Sequence, residues 1–147
     1  MPEIDYAILA DAAETSPGQK FHILGGGITQ LSGRSFPTRH PHLALVVGLR
    51  VTAVETGREH ELRFVLLDPD GGQVAEATGG LVAANRTDGR DETLTFSIDL
   101  WNLTFPGAGE YSLRVLINGS ERRRLPLAVV LVAEAGPVAS AARRFDA

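Results

Sequence analysis

Thr93-Leu94-Thr95-Phe96-Ser97-Ile98-Asp99-Leu100-Trp101 decides the fold. Leu94, Phe96, Ile98 and Leu100 alternate with Thr93, Thr95, Ser97 and Asp99. Successive side chains of a strand point to opposite faces, so this period of two places one apolar face on a core and one polar face in water. Leu43, Leu45, Val47, Leu49 and Val51 repeat the pattern against Ala44, Val46, Gly48, Arg50 and Thr52, as do Leu62, Phe64 and Leu66 against Glu61 and Arg63. Further strands are predicted over 4–10, 20–29, 74–82, 111–117 and 122–132. About eight strands separated by turn clusters predict an all-β fold, an antiparallel two-sheet sandwich of 7–8 strands with immunoglobulin-like, Greek-key connections. Its core is expected to hold Ile23, Leu45, Val47, Leu49, Leu62, Phe64, Leu66, Leu94, Phe96, Ile98, Leu113, Val115, Leu127 and Val129.

The turns fit the same architecture. Asp68-Pro69-Asp70-Gly71-Gly72 places proline, aspartate and glycine where a reverse turn uses them. Asn118-Gly119 is a strong hairpin signal. A two-residue loop there sets Leu113 opposite Arg124, whereas a three-residue loop, Asn118-Gly119-Ser120, pairs Leu113 with Leu125 and Tyr111 with Leu127. The three-residue loop is therefore expected, because it joins two apolar faces. Pro106-Gly107-Ala108-Gly109-Glu110-Tyr111 reads as a corner whose tyrosine hydroxyl ties back to nearby backbone. One domain is expected over 1–134, followed by a flexible tail over 135–147 where strand periodicity is lost.

With 147 residues, 44% of them hydrophobic, the chain has the length and composition of one ordinary globular domain. The absence of cysteine excludes disulfides, thiolate zinc sites and cysteine nucleophiles. The start, Met1-Pro2-Glu3-Ile4-Asp5, lacks a signal peptide's basic and apolar regions, and no run approaches the ~18 apolar residues of a membrane span. A cytoplasmic protein with no membrane partner is expected. Thirteen arginines against the single Lys20, with abundant alanine and glycine, suggest coding from a GC-rich bacterial genome.

No constellation for catalysis is legible: there is no G-x-S-x-G elbow and no H-E-x-x-H helix. No catalytic residue, cofactor or metal ligand is assigned, and the chain is read as not an enzyme. His40 and His42 lie in a proline-stiffened loop before the Leu43 strand, with no third metal ligand placed beside them. Asp68, Asp70, Asp88, Asp91 and Glu92 raise the question of calcium, but turn formation explains them more simply. Gly25-Gly26-Gly27 lacks the spacing of a phosphate cradle and reads as a bulge or a close backbone approach within a strand.

Two surfaces remain. Arg122-Arg123-Arg124, with Arg114 on the facing strand, gathers four positive charges on one hairpin. That hairpin serves either to protect an edge strand or to dock an acidic partner. Asp99 and Trp101 share the face opposite Leu100 and form a possible ligand surface for a sugar. The competing and favoured reading is a bulge near Trp101 that returns the ring to the core. The leading functional expectation is a non-enzymatic interaction or assembly module with a protein partner or self-association. Nucleic acid is excluded on the net charge of −4. The alternative is a small-ligand or carbohydrate-binding sandwich.

Asp5-Tyr6-Ala7-Ile8-Leu9-Ala10-Asp11, Lys20 through Gly27, Phe36-Pro37-x-x-His40-Pro41, Asp68-x-Asp70-Gly71 and Gly109-Glu110-Tyr111-x-Leu113-x-Val115 together give a resemblance. The chain resembles a family of small, uncharacterised bacterial and phage-associated β-sandwich proteins, over most of its length up to about Val132. The resemblance implies the fold and a bacterial origin, and it supplies no functional residue. The 135–147 tail falls outside it, and the Arg122–Arg124 run looks particular to this chain.

Overall fold

A computed structural model describes residues 2–15, 20–84 and 88–132. Nine strands lie among them: β1 (Glu3–Glu14), β2 (His22–Gly26), β3 (Gln30–Gly33), β4 (Thr38–Val51), β5 (Glu59–Leu67), β6 (Gln73–Val82), β7 (Glu92–Phe105), β8 (Gly109–Ile117) and β9 (Ser120–Leu131). One 3-10 turn, Ala53–Glu55, joins β4 to β5. The strands form a four-stranded sheet ordered β2-β1-β4-β7 and a five-stranded sheet ordered β3-β9-β8-β5-β6, the second curled into a half-barrel. The all-β, two-sheet architecture is thus as the alternation predicts.

The core lies between the sheets and is built by the odd-numbered residues of β4. Leu43, Leu45, Val47, Leu49 and Val51 are buried against Leu62, Phe64 and Leu66 of β5, Leu113, Val115 and Ile117 of β8, and Leu127 and Val129 of β9. Ala44, Val46 and Gly48, on the other face of β4, are buried as well. Tyr6 sits opposite Gly48, and a Cβ there would stand inside the tyrosine ring. The glycine thus makes room for an aromatic side chain on the outer face of the sheet. The Tyr6 hydroxyl hydrogen-bonds Thr95 Oγ1, and Phe21 stacks on the ring at 6.0 Å.

The Tyr111 corner forms as expected: its hydroxyl donates to the carbonyl of Gly107 at 2.8 Å. The ring meets Phe105 edge-on at 5.0 Å, fastening the end of β7 to the start of β8.

Four local expectations need correction. The hairpin loop has two residues, since Ile117 pairs with Ser120. The apolar pairs Leu113–Leu125 and Tyr111–Leu127 form nonetheless, because the register shifts between Val115 and Leu116 and leaves Arg122 as an extra, bulged residue. Both turn residues take positive φ, Asn118 at 50° and Gly119 at 81°, as a type I′ turn requires. Residues 38–42 are the first rungs of β4 rather than a loop, with His40 opposite Leu103 and His42 opposite Trp101. The antiparallel expectation fails at β3, which runs parallel to β9 from Gln30–Ala128 to Gly33–Leu131. Ile23 is only half-buried, because β2 is an edge strand paired to the far end of β1. The expected 135–147 tail lies outside the described residues.

Candidate functional site: an aromatic platform on the edge strand

The surface that stands out lies at one end of the β4–β7 ladder. Along β7 the inward residues are Leu94, Phe96, Ile98 and Leu100, then Leu103 and Phe105. The change of parity falls at Trp101-Asn102, both of which are exposed. Asn102 takes φ 53°, and the rung facing it is Pro41, which has no N–H to give to a ladder. The ladder keeps its register here, but the positive φ of Asn102 turns β7 over, and its inward side resumes at Leu103.

This corrects the expectation that a bulge would return Trp101 to the core. The irregularity comes one residue later, so Leu103 and Phe105 regain the interior and Trp101 stays outside, with 64% of its surface exposed. The indole is not loose. It stacks on the His42 imidazole with ring centroids 4.1 Å apart and planes 25° from parallel. His42 Nε2 lies 2.6 Å from Asp99 Oδ1, and because the carboxylate can only accept, Nε2 carries the proton. Asp99 itself keeps about half its side chain in solvent, at 48%. Next to the indole, Arg39 Nε donates to Asn102 Oδ1 at 3.1 Å. An aromatic face held from behind by a histidine, with a carboxylate alongside, can stack a ring-shaped ligand and accept hydrogen bonds from its hydroxyls. Asp99 and Trp101 were legible as same-face neighbours. The part played by His42 was not, since it needs the β4–β7 register.

The arginine hairpin is arranged differently from a single basic patch. The Arg122 bulge divides the run. Arg123 lies opposite core-facing Val115, and its Nη2 donates across to the carbonyl of Ile4 in the other sheet at 3.1 Å. Arg124 and Arg114 are opposite one another on the outer face, and both reach Glu121, at 3.1 and 3.3 Å. These guanidinium groups hold the Glu121 carboxyl below its usual range, chiefly through the Arg124 hydrogen bond. β9 is bordered by β3 only from Ala128 to Leu131, so the arginine half of the strand has an open edge.

The remaining candidates are structural. Asp68 Oδ1 accepts the amides of Asp70 and Gly72 at 2.9 and 2.7 Å, which closes its turn. Among the described residues, no group of three or more histidine and acidic side chains is gathered to hold a metal ion. Within the glycine run, Gly25 has φ 62°, and a Cβ there would collide with the Asp11 carboxylate, so this is a close approach in a strand. His60 is buried, and its environment specifies its tautomer. The Glu61 amide donates to Asn118 Oδ1, so Asn118 Nδ2 is the group facing His60 Nδ1, and Nε2–H is left to donate to the carbonyl of Glu55. Glu55 closes the 3-10 turn by accepting the amide and hydroxyl of Thr52, both at 2.8 Å. Burial pushes its carboxyl up, but hydrogen bonds, those from Thr52 among them, outweigh this and hold it at about 2. No helix among the described residues is long and apolar enough to cross a membrane.

Two β-sheets carrying a solvent-facing Trp–His–Asp stack on an edge strand define an all-β protein with an open surface platform. The chain belongs to DUF6941, a family of unknown function, whose model matches residues 5–130. No curated protein matches it. Among solved structures it is similar to the Pseudomonas fluorescens alkylpurine DNA glycosylase AlkC bound to DNA containing an abasic site analogue, at 12% identity and a TM-score of 0.48. That match covers 88% of this chain and 30% of the glycosylase chain. The expected partner set of proteins or self-association with nucleic acid excluded is corrected here: the net charge of −4 does not exclude nucleic acid. The physical reason is that net charge is a sum over the whole chain, whereas contacts to phosphate depend on the local field. At this TM-score the likeness carries no argument for what the present chain binds.

Proposed function

We propose that this protein is a non-catalytic binding module whose working face is the Trp101–His42–Asp99 platform, and that it takes a small ring-shaped ligand, a sugar above all. The observation that carries the reading is an indole left 64% exposed yet held in a fixed stack on His42. An exposed aromatic ring offers a flat apolar face for stacking, and fixing it beforehand lowers the entropy lost on binding. The sugar's apolar face covers the indole, and the Asp99 carboxylate accepts from its hydroxyls. The arginine hairpin supports a docking reading less well, since the Arg122 bulge divides the run and Arg123 turns to the Ile4 carbonyl of the other sheet.

The immunoglobulin-like, Greek-key description of the sandwich belongs to the same proposal, as do a bacterial or phage origin and a cytoplasmic setting. The arginine-rich, alanine- and glycine-rich composition supports the origin.

Calorimetric titration against a panel of oligosaccharides, with Trp101→Ala as the control, tests the reading. A saturable heat with wild type that disappears in a Trp101→Ala protein of unchanged melting temperature is the expected result. Equal binding by both proteins, or no heat with any sugar, overturns it.

A further inference from the structure

The outer face of the five-stranded sheet carries a cleft of about 370 Å³ that plays no part in the platform. Its floor is Ser112, Leu67 and Pro126, which are neighbours across β8, β5 and β9. One wall is the β5–β6 turn, which folds over the start of β8. Gly109 lies there at φ 154°, and a Cβ on it would come within 2.6 Å of Pro69, so only glycine allows the turn this close. The opposite end is the cross-strand pair Arg114 and Arg124.

Two guanidinium groups directly opposite each other in a ladder repel. Here a single carboxylate compensates them: Glu121 Oε1 serves both, and Oε2 takes a further bond from Arg124 Nη2 at 3.3 Å. Charge at this spot does not balance, with two cations for one anion, and the arginines remain 36% and 54% exposed. Two other acids line the cleft, but neither reaches this end. Asp68 Oδ1 is engaged by the amides of its own turn. Glu110 lies four residues from Arg114 along the same strand, about 13 Å away at the usual rise.

We infer that this cleft binds the phosphate group of a small phosphorylated molecule between Arg114 and Arg124, with the rest of the molecule lying over Ser112 and Pro126 toward Glu110. Arginine forks match oxyanions bidentately, and two forks side by side offer more donors than one carboxylate uses. Glu121 is the internal occupant that the phosphate displaces from the two guanidinium groups. An incoming anion and Glu121 therefore compete, which gives the two kinds of variant opposite signs.

Inorganic phosphate is the probe, followed by amide chemical shifts of Ser112, Arg114 and Arg124 in the full-length protein, with chloride held constant and acetate as a second titrant. Arg124→Gln is expected to weaken phosphate binding about tenfold, the loss of one charge-assisted contact. Glu121→Gln is expected to tighten it severalfold, and acetate to bind more weakly than phosphate. No saturable shift at these three residues overturns the inference. So does a Glu121→Gln protein that binds no more tightly than wild type, or acetate equal to phosphate. Should Arg124→Gln fail to fold, Arg114→Gln and Glu121→Gln carry the same opposite signs and decide the matter.

Discussion

Gly48 shows how a single residue sets a surface. It lies in the centre of the four-stranded sheet, a place where glycine usually weakens a strand. Its missing side chain is the space that the Tyr6 ring fills, and Tyr6 in turn bonds Thr95 across β4 and packs on Phe21. One glycine therefore joins β1, β4 and β7 on the outer face. Gly48→Ala should push the ring out and cost about 1–3 kcal/mol, as overpacking does in a closely packed site. Chemical denaturation checks this, and a change below a few tenths of a kcal/mol would show the ring relocating without strain. Pro41 and Asn102 act at the same scale. Facing one another in the β4–β7 ladder, a residue without an N–H and a residue at positive φ reverse the facing of β7 at the one place that leaves Trp101 outside.

Among elements, the β8–β9 hairpin is the most informative. Asn-Gly favours a two-residue turn, while the apolar residues of the two strands match only in the register of a three-residue loop. The protein satisfies both by bulging Arg122. Both signals were present in the sequence, but the compromise that reconciles them was not, because a bulge has no residue signature when an arginine occupies it. The Asn118 side chain also ties the turn to β5, through Glu61 N at 2.9 Å and through His60. Asn118→Ala should cost about 2–4 kcal/mol, combining a strained positive φ with two lost hydrogen bonds. Asn118→Gly, which keeps the backbone free, should cost roughly half as much. Equal losses in the two variants, measured by urea denaturation, would place the whole effect in the side-chain bonds.

The 3-10 turn after β4 makes a statement about pH. Glu55 is held at about 2 in the native protein against an ordinary 4.5. A carboxyl whose native value is depressed contributes stability that is full above the ordinary value and is lost as pH falls through the native one. Melting temperature should therefore decline between about pH 5 and pH 2, and Glu55→Gln should flatten that part of the curve. A variant with the same acid slope as wild type would remove Glu55 from the explanation.

At the scale of the whole molecule, the legible part was whatever rests on alternation. Residues 93–101, 43–52 and 62–66 gave strands, faces and most of the core, because burial on one side of a sheet imprints a period of two. Tyr111 was legible for a different reason, as the loop before it leaves a tyrosine at a strand start with backbone within reach. β3 was not legible: Gln30-Leu31-Ser32-Gly33 is short, mostly polar, and acquires its strand character only from a parallel partner nearly a hundred residues away. The candidate site falls between these cases. Its tryptophan and aspartate share a strand face that can be read locally, while the histidine beneath them belongs to another strand and enters only through register.

Trp101 is the single tryptophan of the chain, so its fluorescence reports on the platform alone. The direct measurement is its emission spectrum during titration with oligosaccharides. A saturable blue shift is expected, as a sugar ring covers the exposed indole and removes water from it, with the shift weakened in Asp99→Asn. An emission maximum that stays at its solvent-exposed position across the whole panel would contradict the platform as the binding face of this protein.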